Sequence, residues 1–356
     1  MATVLLSMPL ASYIIGKIIL YSCKATREQS IIATQGEPTT SILKIQSLRG
    51  YIPTEITITD SLPRSIQADK ETEVDLIEDH ETEVRLRFTP MKRGRFQIGP
   101  AQMSAFDPLR MFRQKRSLPG KSDLIVYPRA VKFRIAELSH GYKQADMAYH
   151  SGRLAQQGDF AGVRDYYEGD ELKRVHWKTT ARTQRLTVVE NEDATTGSIT
   201  VVLDQSQGSD FGSGMVTSFD VAVGAAAYAV RECLKRAKQA RLITVNGSTV
   251  TTMELRDMKD LSAALTILAE AQANSPISGP ALVKSCERCE NMIFITTQPT
   301  AQLATAVAQI ASRGVGISVA VVDPQPFGKN IEIGPMVAEL KRTGARVELI
   351  REVGQC

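Results

Sequence analysis

The sequence predicts an α/β domain in its C-terminal half, an all-β Ig-like sandwich before it and a single membrane helix at the N-terminus. Three observations carry this reading. From Ser198 onward, short apolar runs alternate with longer amphipathic ones, the pattern of a parallel sheet covered by helices on both faces. Residues 30 to 128 are built of short period-two segments separated by Gly, Pro and charged turns, the pattern of a sandwich. Thr3 to Cys23 holds one charge in a long apolar run. The chain divides accordingly into an anchor (1–23), a sandwich (24–128), a connector with a charged strap (129–192) and an α/β domain (193–356).

In the anchor, "TVLLSMPLASYIIGKIILYSC" contains Lys17 and Pro9 and is just long enough for a bilayer core, which takes about 20 apolar residues. It lacks the basic start and small-residue cleavage site of a signal peptide. The bland reading is a buried or interfacial helix whose Lys17 snorkels. Lys24 and Arg27 follow the run, so the positive-inside bias places a single-pass protein in the cell membrane with residues 24–356 in the cytoplasm.

In the sandwich, "TSILKIQSLRG", "TEITITD", "TEVRLRFTP", "GRFQIGPAQM" and "SDLIVYP" read as strands. The acidic run "QADKETEVDLIEDHE" reads as a loop or an edge hairpin. Residues 129 to 160 have no strong period and read as a connector. In the α/β domain, "SITVVLD", "ARLITVNG", "NMIFITT", "GISVAVVD" and "RVELIRE" are strands. "FDVAVGAAAYAVRECLKRAKQA", "DLSAALTILAEAQA", "PTAQLATAVAQIASRG" and "MVAELKRTGA" are helices.

Charge and cysteines narrow the function classes. A net charge of +4 on 356 residues is small, and no nucleic-acid binder is expected. Five scattered cysteines suit a reducing compartment better than a disulfide framework. Cys286 and Cys289 form a lone C-x-x-C with no further ligands for zinc nearby. It precedes a strand, whereas a thioredoxin-like pair follows a strand and opens a helix, so two small residues in a turn is the plain reading.

The densest chemistry lies in "RDYYEGDELKRVHWKTTAR", residues 164 to 182. Gly169-Asp170 predicts a turn and an N-cap for a helix starting at Glu171. Leu172, Val175 and Trp177 would clamp that helix onto the α/β domain, leaving Arg164, Arg174 and Arg182 on an outer rim. As a catalytic site the stretch lacks a nucleophile beside His176, and its carboxylates are too close in sequence for a cleft pair. Bases are matched by acids, which argues against nucleic acid and for protein docking. Ligands of open α/β sheets bind beyond the strand carboxyl ends, where Asp204 and Ser206 offer two oxygens to a hard cation.

Residues 158 to 192, "GDFAGVRDYYEGDELKRVHWKTTARTQRLTVVENE", resemble the signature of the bacterial domain-of-unknown-function family fifty-eight. The matching positions are Gly162, Arg164, Tyr166, Gly169, Asp170, Arg174, Val175, His176, Trp177, Lys178, Ala181, Arg182 and Glu190. "KRGRFQIGP", "FDPLRMF" and "VYPR" resemble segments of the same family's β-domain. The resemblance implies a von Willebrand factor A-like, Rossmann-like domain, whose divalent ion would sit on Asp-x-Ser-x-Ser, a Thr and a later Asp. Here Asp204 and Ser206 match, Gly208 takes the third position and Thr297 stands where the later Asp would be, so at most weak Mg²⁺ binding is expected. It also implies a MoxR-type AAA+ ATPase as partner, with unknown client proteins. The expectation is therefore a membrane-anchored, non-enzymatic adapter acting in assembly or maturation of other proteins. Its docking residues would be Arg164, Tyr166, Gly169, Asp170, Arg174, His176, Trp177, Lys178 and Arg182. Two alternatives are a metal-dependent, adhesin-like ligand-binding module and an uncharacterised hydrolase using Asp165, Asp170 and His176.

Overall fold

The computed structural model describes residues 2–47, 54–68, 72–74, 81–135, 160–165, 177–183, 185–191, 198–236, 239–286, 289–329 and 332–351. Helix α1 (Ala2–Ser22) leads into eleven strands: β1 (Cys23–Arg27), β2 (Ser30–Thr34), β3 (Thr39–Ser47), β4 (Thr54–Thr59), β5 (Ile66–Ala68), β6 (Thr72–Val74), β7 (Glu81–Pro90), β8 (Gly94–Ile98), β9 (Gln102–Phe106), β10 (Arg113–Ser117) and β11 (Ser122–Tyr127). They form three sheets, ordered β1-β3-β7-β5, β10-β9-β4-β6 and β2-β11-β8. Alternation places Leu43, Ile45, Val84 and Leu86 of the first sheet against Ile56, Ile58, Met103 and Ala105 of the second. At the other end Phe88 and Ile66 meet Ile31, Leu124 and Val126 of the third. This is the sandwich expected. The acidic run after β5 contributes β6, an edge strand; its residues 69–71 and 75–80 lie outside the described residues.

Helix α1 lies along β9 and β10. Ser12, Gly16 and Leu20 recur at four-residue spacing and face the sandwich. A Cβ on Gly16 would sit 3.0 Å from the Asp107 Cα, so the close approach requires glycine. Ser12 donates to the Asp107 carboxylate, and Gln114 Nε2 donates to Tyr13 O at 2.7 Å. Arg116 Nη1 caps the helix by donating to Leu20 O (2.9 Å) and Cys23 O (2.8 Å), placing a cation at the negative end of the dipole. Met8, Leu10, Ile14, Ile15 and Ile18 point away from the protein and are exposed. Among the described residues no helix is long and apolar enough to cross a membrane. Arg27, counted as a flanking cation in the sequence, is buried instead: its Nη1 donates to Asp60 Oδ1 at 2.9 Å and its Nη2 to Ser41 Oγ at 2.8 Å. A strand interior claimed it, because a paired guanidinium can be buried there.

After the connector come β12 (Phe160–Asp165), α2 (Trp177–Thr183) and β13 (Thr187–Asn191), then the α/β domain. This comprises β14 (Ile199–Leu203), α3 (Ser218–Arg236), β15 (Ala240–Asn246), β16 (Thr249–Leu255), α4 (Asp260–Glu270), α5 (Gly279–Ser285), β17 (Asn291–Thr296), α6 (Ala301–Ser312), β18 (Gly316–Val322), α7 (Gly334–Arg342) and β19 (Arg346–Ile350). The sheet order is β16-β15-β14-β17-β18-β19, parallel except for the antiparallel edge strand β16. Helices α3 and α4 cover one face and α5, α6 and α7 the other. This is a doubly wound mixed sheet whose order reverses between β14 and β17, the place where such sheets open a crevice.

The connector is not free at its start. Val131 N donates to Gly224 O in α3 at 3.0 Å, while Val131, Phe133 and Ile135 pack on the α3 side of the core. A Cβ at Gly224 would lie 2.3 Å from Arg129 O, so the glycine inside α3 is what lets the segment lie against it. Residues 136–159 lie outside the described residues.

Two arginines flanking Gly94 join the sandwich to the α/β domain. Arg93 is ion-paired with Asp220, donates to Ala271 O at 2.9 Å and lies 5.2 Å from the centre of the Phe219 ring. Burial lowers its pKa to about 10, so the group stays charged at neutral pH and needs its partners. Arg95 Nε meets Glu270 Oε1 at 2.8 Å on the exposed side of the joint.

Candidate functional site

The signature segment forms a two-stranded antiparallel sheet of its own. Strand β12 pairs with β13 so that Gly162 faces Glu190 and Arg164 faces Val188, with a bulge between Phe160 and Gly162. The first and last residues of the signature are thus cross-strand neighbours. Helix α2 is carried between the two strands and begins at Trp177. Arg182 sits in its last turn, a favourable end for a cation.

Trp177 is 65% exposed, which corrects the expectation that it clamps the strap onto the domain. The reason lies in the sequence of α2, "WKTTART", which offers no second large apolar side chain to build a buried face with the indole. Ala181, one turn on, is exposed, as are Arg182, Arg185 and Leu186. The short helix and its exit therefore present an indole, two guanidinium groups and a leucine to solvent. Arg182, expected on the outer rim, is exposed in the last turn of α2. The backbones of Arg164 and Lys178 lie in β12 and α2. Tyr166, Gly169, Asp170, Arg174 and His176 lie outside the described residues, as does the helix start predicted at Glu171 with Leu172 and Val175.

At the crevice between β14 and β17 the chain brings Asp204 and Ser206 together, with both Asp204 oxygens engaged. Ser206 N donates to Oδ1 at 3.1 Å, and the Thr296 hydroxyl donates to Oδ2 at 2.8 Å. Gly279, at the start of α5, makes room, since a Cβ there would lie 2.7 Å from Oδ2. Burial pushes the Asp204 pKa up, opposed by hydrogen bonds from Thr296 and Ser206. Thr297, in the place of a later Asp, donates its hydroxyl to Ser209 O instead of facing the crevice. A divalent ion needs six or more oxygens, and these donors already have partners. Among the described residues no group of three or more His, Cys, Asp or Glu converges on a point. The residues do not fit a divalent ion.

Sequence reading missed the joint at Arg93, since in "KRGRFQIGP" it is one of several cations around a glycine and its partners Asp220, Ala271 and Phe219 are distant in the chain.

Several solved structures are weakly similar over about a third of the chain. The CARDB domain of a Pyrococcus furiosus protein is 12% identical, covering 30% of this chain and 94% of that domain, with a TM-score of 0.21. A cohesin module from a Clostridium perfringens family 33 glycoside hydrolase is 11% identical over 30% of this chain and 96% of the module, with a TM-score of 0.20. Murine CRIg is 13% identical over 29% of this chain and 97% of that chain, with a TM-score of 0.18. No curated protein matches. The family model described as "Protein of unknown function DUF58" matches residues 162–349, from the signature hairpin through the last strand of the sheet. That is more than half of the 356 residues, and the chain belongs to this family.

Proposed function

We propose that this chain is a membrane-anchored adapter that docks a MoxR-type AAA+ ATPase through its signature hairpin and serves in assembly or maturation of client proteins. The observation that carries the reading is Trp177. An indole 65% exposed on a short helix whose last turn and exit carry exposed Arg182 and Arg185 supplies residue types of a binding hot spot, where Trp and Arg are enriched and Lys and Glu are not. We read the α/β domain as von Willebrand factor A-like, serving as a platform without a bound metal.

The anchor reading draws on the inverted face of α1. A helix of a water-soluble domain turns its apolar side inward. Here Ser12 and Gly16 face the sandwich together with Ile19 and Leu20, while Met8, Leu10, Ile14, Ile15 and Ile18 face out beside Lys17. That arrangement suits lipid. Lys24 and the helix-capping Arg116 then stand at the cytoplasmic end, and the buried free thiols Cys23, Cys233, Cys286 and Cys289 suit a reducing compartment. Protease added outside intact spheroplasts should leave residues 24–356 uncut; digestion would reverse the orientation.

Affinity capture from solubilised membranes tests the adapter reading. Wild-type protein is expected to recover a AAA+ ATPase. Trp177→Ala, with an unchanged melting temperature, should recover roughly 30-fold less, the equivalent of a hot spot of about 2 kcal/mol. Equal recovery by both proteins, or no ATPase with either, contradicts it.

A further inference from the structure

Helix α1 and the β9–β10 turn share one exposed apolar surface. On α1, Leu10, Ile14 and Ile18 form an exposed row at four-residue spacing, and Tyr13, Lys17 and Tyr21 form a second exposed row beside it. The turn adds Leu109, Met111 and Phe112, all exposed. Tyr13 joins the two elements by meeting Phe112 edge-on, with ring centres 5.7 Å apart.

Hydrogen bonds fasten the turn to the helix. Leu109 N donates to Ser12 Oγ at 3.1 Å, Phe112 N donates to Asp107 Oδ1 at 2.6 Å, and Ser12 donates to the same carboxylate. Together with the bonds from Gln114 and Arg116, these tie α1 to the sandwich from Ser12 to its C-terminal end. Crossing a bilayer in this arrangement would draw β10, with Arg113, Lys115 and Arg116, into the hydrocarbon, where each charge is costly.

The polar groups on this surface suit the headgroup region instead. Tyr and Lys hold an apolar stem in lipid and a polar tip at headgroup depth. The row Tyr13, Lys17, Tyr21 runs along the helix, which sets its length at a single depth. Lys17 and Arg110 are exposed cations, whereas Asp107, the one acid among residues 2–22 and 107–112, is buried with both oxygens hydrogen-bonded. Arg110 holds a φ of 56°, a left-handed backbone that favours glycine, so the tip carries a cation where the turn itself would suit none.

We propose that α1 lies in the plane of the membrane interface, with Leu10, Ile14, Ile18 and the tip of the β9–β10 turn entering one leaflet and Lys17 and Arg110 on the phosphates of anionic lipids. This rests on the anchor reading and states how the anchor sits.

Full-length protein diluted from detergent onto preformed vesicles of phosphatidylcholine and phosphatidylglycerol tests this. Wild type should float with the vesicles; failure to float removes the anchor reading and this one together. Leu10→Trp, Ile18→Trp and Met111→Trp, each in a Trp177→Phe background and checked for folding by circular dichroism, then report depth. All three indoles should be quenched by lipids brominated near the headgroup more than by lipids brominated near the chain end, and should be shielded from iodide. A spanning helix would separate Leu10 and Ile18 by about 12 Å in depth. Protein that floats but shows different depths for these two positions, or iodide quenching at Met111→Trp, overturns the proposal and leaves the anchor reading standing. Blue emission before lipid is added, growing with protein concentration, also overturns it and assigns the face to a second copy of the chain. Arg110→Gln should weaken partition into the anionic vesicles roughly fivefold and leave partition into pure phosphatidylcholine unchanged; equal partition of mutant and wild type into anionic vesicles contradicts the role of Arg110.

Discussion

At the scale of single residues, two side chains of similar prominence in the sequence turn out to have opposite roles. Trp177 reads as a core residue because large aromatics are usually buried. What exposes it is the absence of an apolar neighbour along α2, a feature of the helix as a whole and not of the indole. Truncating it to Ala should change stability by no more than about 0.5 kcal/mol, as for other surface substitutions, and thermal melts check this. Arg93 reads as one more surface cation, and only the fold shows it buried against Asp220, Ala271 O and the Phe219 ring. Arg93→Ala leaves a carboxylate without its partner and is expected to cost about 3–5 kcal/mol in denaturant unfolding. Asp204 makes a third case. Its folded pKa is raised, so the charged form opposes folding once the pH exceeds that of an unfolded carboxyl. Asp204→Asn should then match or exceed wild type in melting temperature at neutral pH. It should also leave calorimetry with Mg²⁺ unchanged, because no site is lost.

At the scale of elements, legibility follows burial. The runs "VVL", "IFIT" and "AVV" were readable as β14, β17 and β18 because strands covered on both faces are continuously apolar. Strand β16, "TVTTMEL", went unread since it is an exposed edge with a single buried residue, Leu255. The short strands β1, β2, β5 and β10 were missed for a similar reason: three to five residues give too little periodicity. Helix α5 escaped because seven residues make only two turns. The contact of α1 with the β9–β10 turn was also invisible, since it depends on Asp107. Burial raises the pKa of that carboxyl, but hydrogen bonds from Ser12 and the backbone N–H groups of Phe112, Leu109 and Met111 outweigh it and hold the value low. A depressed carboxyl contributes its stability above the unfolded value and loses it as pH falls through the folded one. Hydrogen-exchange protection factors at Leu109–Phe112, taken relative to unstructured peptide at the same pH, should therefore fall in acid below about pH 4, and Asp107→Asn should show low protection already at neutral pH. Exchange independent of pH in this sense would show that the turn is held by other contacts.

At the scale of the whole molecule, the sandwich joins α1 on one side to the α/β domain on the other through β8, β11 and the Arg93 joint. The hairpin bearing Trp177 precedes the α/β domain in the chain. The chain has one tryptophan, and its fluorescence reports on that surface alone. In the isolated full-length protein, emission should lie at the water-exposed red limit and be quenched freely by iodide. Adding the captured AAA+ ATPase, compared with its own spectrum, should shift the emission to the blue and shield it from the quencher. A blue, unquenched emission before any partner is added, or one that the ATPase leaves unchanged, would contradict the docking role of Trp177.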